Sequence, residues 1–174
     1  MNDKFPEIHD TTIEDQYKIN TNVNGTECSV EILDTAGQED YQSMMESWVA
    51  FANGFILVFC IDDADSYKVV KDRLEVIIQE KRQGKVPPIL VLGNKADLQI
   101  DRAVQYEEAY SYCKGKGIEY LECSALTKHN VKEAFFKLFE KMINGKKVLS
   151  SAPSSGSSSS KEQKESEPKK CFCF

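Results

Sequence analysis

The sequence predicts an α/β fold in which helices cover both faces of a mainly parallel sheet. Short apolar runs alternate along the chain with longer segments whose apolar residues recur at helical spacing. This alternation is typical of parallel sheets, whose strands are joined by crossing helices. With 174 residues, of which 41% are hydrophobic, the chain is long enough for one domain with a buried core.

The predicted strands fall into two kinds. Glu14–Thr21 and Glu27–Leu33 flank an Asn-Gly pair at residues 24 and 25, which predicts an antiparallel hairpin. Phe55–Ile61, Pro88–Leu92 and Ile118–Cys123 are short runs in which apolar residues predominate. Runs of this kind are typical of strands that are covered on both faces, so we expect them in the interior of the sheet.

Three segments carry the apolar spacing of helices: Ser66–Gln83, Tyr106–Lys114 and Val131–Ile143. We expect the first to bury one face made of Val69, Val70, Leu74, Ile77 and Ile78. The last carries a stripe of Ala134, Phe135, Leu138, Phe139 and Met142. An aromatic stripe at this spacing favours core packing over a binding site.

Composition excludes several classes of protein. The formal net charge of −6 argues against a nucleic-acid partner, which would need a basic surface. No apolar run approaches the roughly 18 residues of a membrane-spanning helix, and the N-terminus lacks the apolar stretch of a signal peptide. The six cysteines form no CxxC pair and there are two histidines, so we expect neither a zinc site nor a disulfide framework.

The composition changes sharply after Leu149, where serine and then charged residues predominate. We therefore expect a folded domain over residues 1–146 and a disordered serine-rich linker over residues 147–170. The last four residues, Cys171-Phe-Cys-Phe174, are typical of a CaaX prenylation signal, and the terminal phenylalanine favours a geranylgeranyl group on Cys171. A frayed apolar terminus and modification of Cys173 are the alternatives.

A first polar motif, Asp34-Thr-Ala-Gly37-Gln38-Glu39, follows a predicted strand directly. A carboxylate at the end of a strand can hold Mg²⁺ through water. A glycine three residues later lets its N–H group approach a phosphate, and a glutamine beside it can orient a water molecule. Taken alone this motif is weak, since Asp34 could simply cap a turn.

Two further motifs end later strands. In Asn94-Lys95-Ala-Asp97, the carboxylate of Asp97 can accept hydrogen bonds from the N1–H and the amino group of guanine, which adenine does not offer. Asn94 can contact the other edge of the base or tie neighbouring loops, and the stem of Lys95 can lie across the purine. A polar turn is the alternative. In Glu122-Cys-Ser124-Ala125-Leu126, backbone N–H groups could contact the guanine oxygen and Ser124 could brace the loop.

The three motifs occur in this order, and the chain resembles the Ras superfamily of small GTPases, within it the Ras subfamily. The similarity extends from about Met1 to Met142 and resumes at the last four residues. The resemblance implies a P-loop NTPase-like (Ras-like) fold, GTP or GDP as ligand and Mg²⁺ as cofactor. It also implies hydrolysis of GTP by water that Gln38 orients, which makes Gln38 the expected catalytic residue.

The resemblance assigns the remaining site residues. Thr12 would bind Mg²⁺ and sense the γ-phosphate, Asp34 would hold Mg²⁺ through water, and Gly37 would contact the γ-phosphate. Phe5 would pack against guanine, which would be selected by Asn94, Lys95, Asp97, Ser124, Ala125 and Leu126. His9 and Leu126 depart from the family pattern, which usually has a tyrosine and often a lysine there. Effectors would contact His9, Asp10, Thr11, Thr12, Ile13, Glu14, Asp15, Gln16 and Tyr17.

The expected partners are effectors, a GTPase-activating protein, an exchange factor and a membrane, reached through a prenyl group on Cys171. The expected location is the cytoplasmic face of the plasma membrane or of an internal membrane, and the expected state is a monomer. A single lipid chain anchors weakly, so a second signal is expected, for which Lys169 and Lys170 are a weak basic candidate.

None of the nine glycines begins the G-x-x-x-x-G-K-[ST] phosphate loop of this family. We therefore expect the fold to lack its first strand, this loop and most of its first helix, leaving the hairpin and Phe55–Ile61 with unpaired edges. Because such a loop wraps the α- and β-phosphates, we expect weak GTP binding and negligible hydrolysis. The chain is then either the product of a Ras-like gene whose front end is lost, or a pseudo-GTPase that binds effectors without turnover.

Overall fold

Strands and helices alternate along the chain, as the apolar pattern predicts. The computed structural model describes residues 14–35, 49, 51–80, 86–147 and 169–173. The strands in these ranges are β1 (Glu14–Val23), β2 (Thr26–Thr35), β3 (Gly54–Cys60), β4 (Ile89–Asn94), β5 (Glu119–Glu122) and β6 (Lys169–Cys173). The helices are α1 (Ala64–Glu80), α2 (Tyr106–Gly115) and α3 (Val131–Lys147).

The hairpin of β1 and β2 is antiparallel and turns at Asn24 and Gly25. Both residues have positive φ, 51° and 80°, which is the requirement of the two-residue turn that the Asn-Gly pair predicts. The side-chain oxygen of Asn22 accepts a hydrogen bond from the backbone N–H of Gly25 at 2.9 Å, which closes the turn. This hairpin supplies the antiparallel strand that the sequence predicts.

The six strands form one sheet in the order β1-β2-β6-β3-β4-β5, and every pair except β1 with β2 is parallel. Strand β6 lies between β2 and β3 and pairs with both. The expectation that the hairpin and Phe55–Ile61 have unpaired facing edges is therefore wrong, because residues 169–173 fill that position. The division at residues 146 and 170 stays a prediction, but α3 extends to Lys147 and β6 includes Lys169 and Lys170.

Alternation along β3 divides the core between the two faces of the sheet. Phe55, Leu57 and Phe59 belong to one buried cluster, together with residues of α1 and α2. Ile56 belongs to a second cluster, which includes residues of α3 and of β2. Helices thus cover both faces, which explains why β3 is apolar along nearly its whole length.

The helices bury the faces that their spacing predicts, with one exception. In α1, Val70, Leu74 and Ile77 are buried, whereas Val69 is 38% exposed. Val69 precedes Val70 by one position, which turns its side chain by about 100° around the helix, away from the sheet. Asp63 caps the amino end of α1, because its Oδ1 accepts hydrogen bonds from the backbone N–H groups of residues 65 and 66. None of the described helices has the length and apolar character needed to cross a membrane.

Candidate functional site

The candidate site lies where β3, β4 and β5 end at the carboxyl edge of the sheet. Cys60 and Asn94 are opposite each other in the register of β3 and β4, and Gly93 is opposite Glu122 in that of β4 and β5. Three loops therefore leave the sheet side by side. Open α/β sheets bind their ligands at this edge, and the second and third sequence motifs lie in these loops.

Asn94 joins two of the loops. Its side-chain oxygen accepts a hydrogen bond from the backbone N–H of Ala125 at 3.1 Å. The backbone of the same loops is also joined directly, since the N–H of Ala96 donates to the carbonyl of Cys123 at 3.0 Å. The loop after β4 is thereby fixed against the loop after β5.

Ser124 connects the same loops a second time. Its hydroxyl donates to Oδ1 of Asp97 and accepts the N–H of Thr127 at 3.1 Å. Ser124 is only 1% exposed, whereas Asp97 is an exposed residue. A buried hydroxyl therefore holds an exposed carboxylate beside the N–H groups that follow Ser124.

Lys95 adopts a backbone conformation that is uncommon for a residue with a side chain. Its φ is 63°, in the left-handed region, and Nζ lies 2.9 Å from Oδ2 of Asp62 in the loop after β3. The hydrogen bond from Lys95 lowers the pKa of Asp62, and the same bond raises the pKa of Lys95. Strained conformations of this kind are concentrated at functional sites, where surrounding contacts maintain them.

An ion pair with both side chains largely enclosed supports these loops from the side, and none of the sequence motifs predicts it. Arg102 donates from two nitrogens to the two carboxylate oxygens of Glu122, each at 2.7 Å, and donates to the carbonyl of Val104 at 3.0 Å. The hydroxyl of Tyr120 donates to the same Glu122 at 2.9 Å. A signal was present in the sequence, since Glu122 ends β5 between Leu121 and Cys123 and its carboxylate needs a partner there.

Asp34 lies near the carboxyl end of β2, opposite Asp15 of β1 and Cys173 of β6 in the register. It is half-buried. A single carboxylate at a strand end fits Mg²⁺, which binds to proteins through one or two carboxylates and keeps several waters. Among the described residues no group of three or more histidines, cysteines, aspartates or glutamates is placed to hold a metal.

Comparison of the sequence with known proteins identifies one family. The family model described as "Ras family" matches residues 1–144. The chain belongs to the Ras family. It is 36% identical over 172 residues to "Ras-related protein Ral-B" of Mus musculus, which covers 99% of this chain and 83% of that protein.

Two other relatives extend the range of the similarity. The Ras-family chain is 34% identical to "Ras-related protein O-RAL" of Diplobatis ommata, over 99% of this chain and 83% of that protein. It is 36% identical to "Protein ras-1" of Neurospora crassa, over 83% of this chain and 68% of that protein. Ras-family relatives thus occur in animals and in a fungus, and they identify the chain as a small GTPase of the signalling-switch type.

The structure of this Ras-family chain brings together five predicted residues at the edge of β4 and β5: Asn94, Lys95, Asp97, Ser124 and Ala125. Leu126 follows them and is 57% exposed. Asp34 lies on β2, which β6 separates from β3. Glu14 begins β1, and Asp15, Gln16 and Tyr17 are exposed along it. The predicted residues outside the described ranges are Phe5, His9, Asp10, Thr11, Thr12, Ile13, Gly37 and Gln38.

Proposed function

We propose that this chain recognises guanine nucleotides through the loops after β4 and β5 and acts in signalling as a nucleotide-dependent switch. The observation that carries the proposal is the pair of links between these loops, from Asn94 to Ala125 and from Ser124 to Asp97. Guanine presents two donors and one acceptor on one edge. The exposed carboxylate of Asp97 complements the donors, and the N–H groups after Ser124 complement the acceptor.

Lys95 and Leu126 complete the proposed base site. The lysine stem, whose end is held by Asp62, would lie along the purine on one side. Leu126 is exposed beside Ala125 and would supply an apolar contact, and Phe5 would pack against the ring. Base recognition therefore rests on three loops that are fixed before a ligand arrives, which reduces the entropy lost on binding.

The phosphate end of the proposed site rests on Thr12, Asp34, Gly37 and Gln38. Thr12, and Asp34 through water, would hold Mg²⁺, which when bound neutralises charge on the β- and γ-phosphates. Gly37 would contact the γ-phosphate and Gln38 would orient the attacking water. We propose that these 174 residues nevertheless bind GTP weakly and hydrolyse it negligibly, because no glycine in them begins a phosphate loop that would surround the α- and β-phosphates.

The base site can be tested on its own with Asp97→Asn and a matched control, Asp101→Asn. Asp101 is an exposed carboxylate in the same loop, so both variants remove one negative charge. GDP is titrated while the amide signals of Ala125 and Leu126 are followed by NMR. We expect GDP but not ADP to shift these signals, Asp97→Asn to weaken GDP binding by about tenfold or more, and Asp101→Asn to leave it unchanged.

Equal shifts with GDP and ADP would contradict guanine recognition. Titration calorimetry of the unchanged protein with GTP and Mg²⁺ tests the phosphate end separately. We expect binding weaker than micromolar, and sub-micromolar affinity would show that the phosphates are bound well without the missing motif.

An interaction module without turnover is the second candidate function. It is favoured by the exposed side chains of Asp15, Gln16 and Tyr17 on β1, which is the edge strand of the described sheet. Residues 9–17 would then bind effectors whether or not a nucleotide is present. An effector pull-down with and without GTP distinguishes the two, because a switch binds only when GTP orders Thr12.

We also propose that Cys171 accepts a geranylgeranyl group, which would bring the protein to the cytoplasmic face of the plasma membrane or an internal membrane. The proposal is supported by the last four residues and by the lysines that precede them. A single prenyl chain binds membranes reversibly, so the anchored and free forms would exchange. Effectors, a GTPase-activating protein and an exchange factor are the proposed protein partners of a monomer.

A further inference from the structure

Among the described strands, β6 is the one that pairs with both halves of the sheet. Strands β2 and β3 do not pair with each other, and each pairs with β6 instead. Five residues of β6 are in register with β2, from Lys169 opposite Val30 to Cys173 opposite Asp34. Three of them are also in register with β3. Without β6, the unpaired edges of β2 and β3 would face each other about 10 Å apart, which is twice the spacing of strands.

Cys171 lies in the middle of this strand. Its register partners are Ile32 of β2 on one side and Gly54 of β3 on the other. Ile32 is 3% exposed, and Phe55, which follows Gly54, is fully buried. The backbone of Cys171 is therefore enclosed between two strands that belong to the core of the domain.

We propose that residues 169–173 have two mutually exclusive uses: as strand β6, where Cys171 is withheld from lipid transfer, and as a released segment that accepts the lipid. This inference rests on the proposed lipidation of Cys171. In prenyl transfer, the thiol sulfur of the cysteine bonds to the allylic carbon of geranylgeranyl diphosphate. The carbon–oxygen bond breaks, diphosphate leaves with the electron pair, and the thiol proton passes to solvent. A transferase must surround the cysteine to do this, and two flanking strands prevent it.

No described element follows β6 in the chain, so its release does not have to carry another described element with it. Residues 148–168 join it to α3, and roughly 20 residues can span up to about 70 Å when extended. Short terminal strands are among the segments that open at the lowest free energy. A lipid on Cys171 that has entered a membrane would then hold the segment in the released state, because a segment held at a membrane surface cannot pair with β2 and β3.

The test measures the rate at which geranylgeranyl is transferred to the purified, unmodified chain. The enzyme is a protein geranylgeranyltransferase with geranylgeranyl diphosphate, and intact mass gives the extent of reaction. A synthetic peptide of residues 161–174 gives the rate for a free tail, and Cys171→Ser identifies the modified residue. We expect the whole chain to react at least about tenfold more slowly than the peptide, as a mostly closed equilibrium requires.

Two variants at position 170 leave the last four residues intact: one is designed to disrupt β6, and the other is its control. Lys170→Pro removes a backbone donor and places proline in a central strand, which sheets do not tolerate. Lys170→Gln removes the same charge and keeps the N–H group. We expect Lys170→Pro to react at about the rate of the peptide and Lys170→Gln at the rate of the unchanged chain. Hydrogen exchange should show protected amides at residues 171–173 in the unchanged chain and in Lys170→Gln, but not in Lys170→Pro.

The outcomes separate the two proposals. If the unchanged chain reacts as fast as the peptide, or if its tail amides exchange as in a free peptide, exclusivity is overturned while lipidation stands. If the peptide itself does not react, lipidation of Cys171 is wrong and the inference falls with it, whatever hydrogen exchange shows of β6. The comparison of chain with peptide needs no variant, so it decides the matter even if Lys170→Pro fails to fold.

Discussion

Arg102 and Glu122 form an enclosed ion pair, with side chains 11% and 15% exposed. The two planar groups meet through two parallel hydrogen bonds, a geometry that lysine cannot reproduce. Burial by itself raises the pKa of Glu122, but the hydrogen bonds from Arg102 and Tyr120 outweigh it and hold that pKa below its ordinary value of 4.5. Glu122 therefore stabilises the loops of the base site only while Arg102 is present.

Arg102→Ala should lower the free energy of unfolding by about 2 kcal/mol at pH 7, because it leaves an enclosed carboxylate without its cation. In the unchanged protein, the contribution of Glu122 is complete above pH 4.5 and is lost as the pH falls through the lower folded pKa. In the variant, burial acts unopposed by Arg102, so protonation of Glu122 relieves the penalty. Urea unfolding should show a smaller loss at pH 4 than at pH 7.

Arg102→Lys is the matched control. It keeps the charge and loses the paired hydrogen bonds, so its stability should be intermediate at pH 7. The same loss at both pH values for Arg102→Ala would show that the arginine acts through packing rather than through charge.

The residues of the base site illustrate what the sequence could and could not predict. The motifs predict that Asn94 can tie neighbouring loops and that Ser124 can brace one, and the structure places both side chains between the same two loops. The pairing of Lys95 with Asp62 was not predicted, because it depends on how two loops more than 30 residues apart leave the sheet. Sequence motifs identify side chains that contact a ligand more readily than those that hold the contacting residues.

At the scale of elements, the five strands and three helices predicted from the sequence all appear, with ends that differ by a few residues. They were predictable from local signals: the Asn-Gly pair for the hairpin, apolar runs for β3 to β5 and helical spacing for the three helices. Strand β6 was missed. Lys169–Cys173 contains no β-branched residue, and its partners lie more than a hundred residues earlier in the chain. A strand that depends on distant partners leaves little local signal.

The absence of a side chain at Gly93 of β4 lets Tyr120 of β5 pack closely against this strand. A Cβ atom there would lie 2.5 Å from the hydroxyl oxygen of Tyr120 and 3.0 Å from Cγ2 of Ile61. We expect Gly93→Ala to lower the free energy of unfolding by about 2 kcal/mol, as overpacking does. Because Tyr120→Phe removes the nearest atom, the double variant should lose less than the sum of the two single changes, as measured by thermal and urea unfolding.

Gly115 at the end of α2 provides the control, since a Cβ atom there meets nothing within 4 Å. Gly115→Ala should leave stability unchanged or slightly higher. Strict additivity of Gly93→Ala and Tyr120→Phe would mean that the strain arises elsewhere along β4.

At the scale of the whole molecule, each face of the sheet has its own core. The cluster under α3 draws on Val30 and Ile32 of β2 as well as on Ile56 of β3, so it extends across the position of β6. The integrity of that core therefore depends on a strand contributed by the distal end of the described chain. This dependence links the fold of the domain to the state of its tail.

Deleting residues 169–174 should lower the melting temperature by about 5–10 °C, which corresponds to roughly 2–3 kcal/mol for a chain of this size. It should also cause aggregation that increases with concentration, because β2 and β3 would both present open edges. Differential scanning calorimetry and light scattering provide the measurements. Deletion of residues 150–160 is the control and should change neither, and a tail deletion that behaves like it would show that β6 adds nothing to stability.

The position of β6 also affects the order in which the protein can fold. Val30 pairs with Lys169 and Phe55 with Phe172, so the middle of the sheet joins residues separated by more than about a hundred positions. During synthesis, β1 to β5 emerge from the ribosome well before the segment that joins them. The nascent chain must pass through a state with two incomplete sheets, and it is in this interval that we expect chaperones to be needed most.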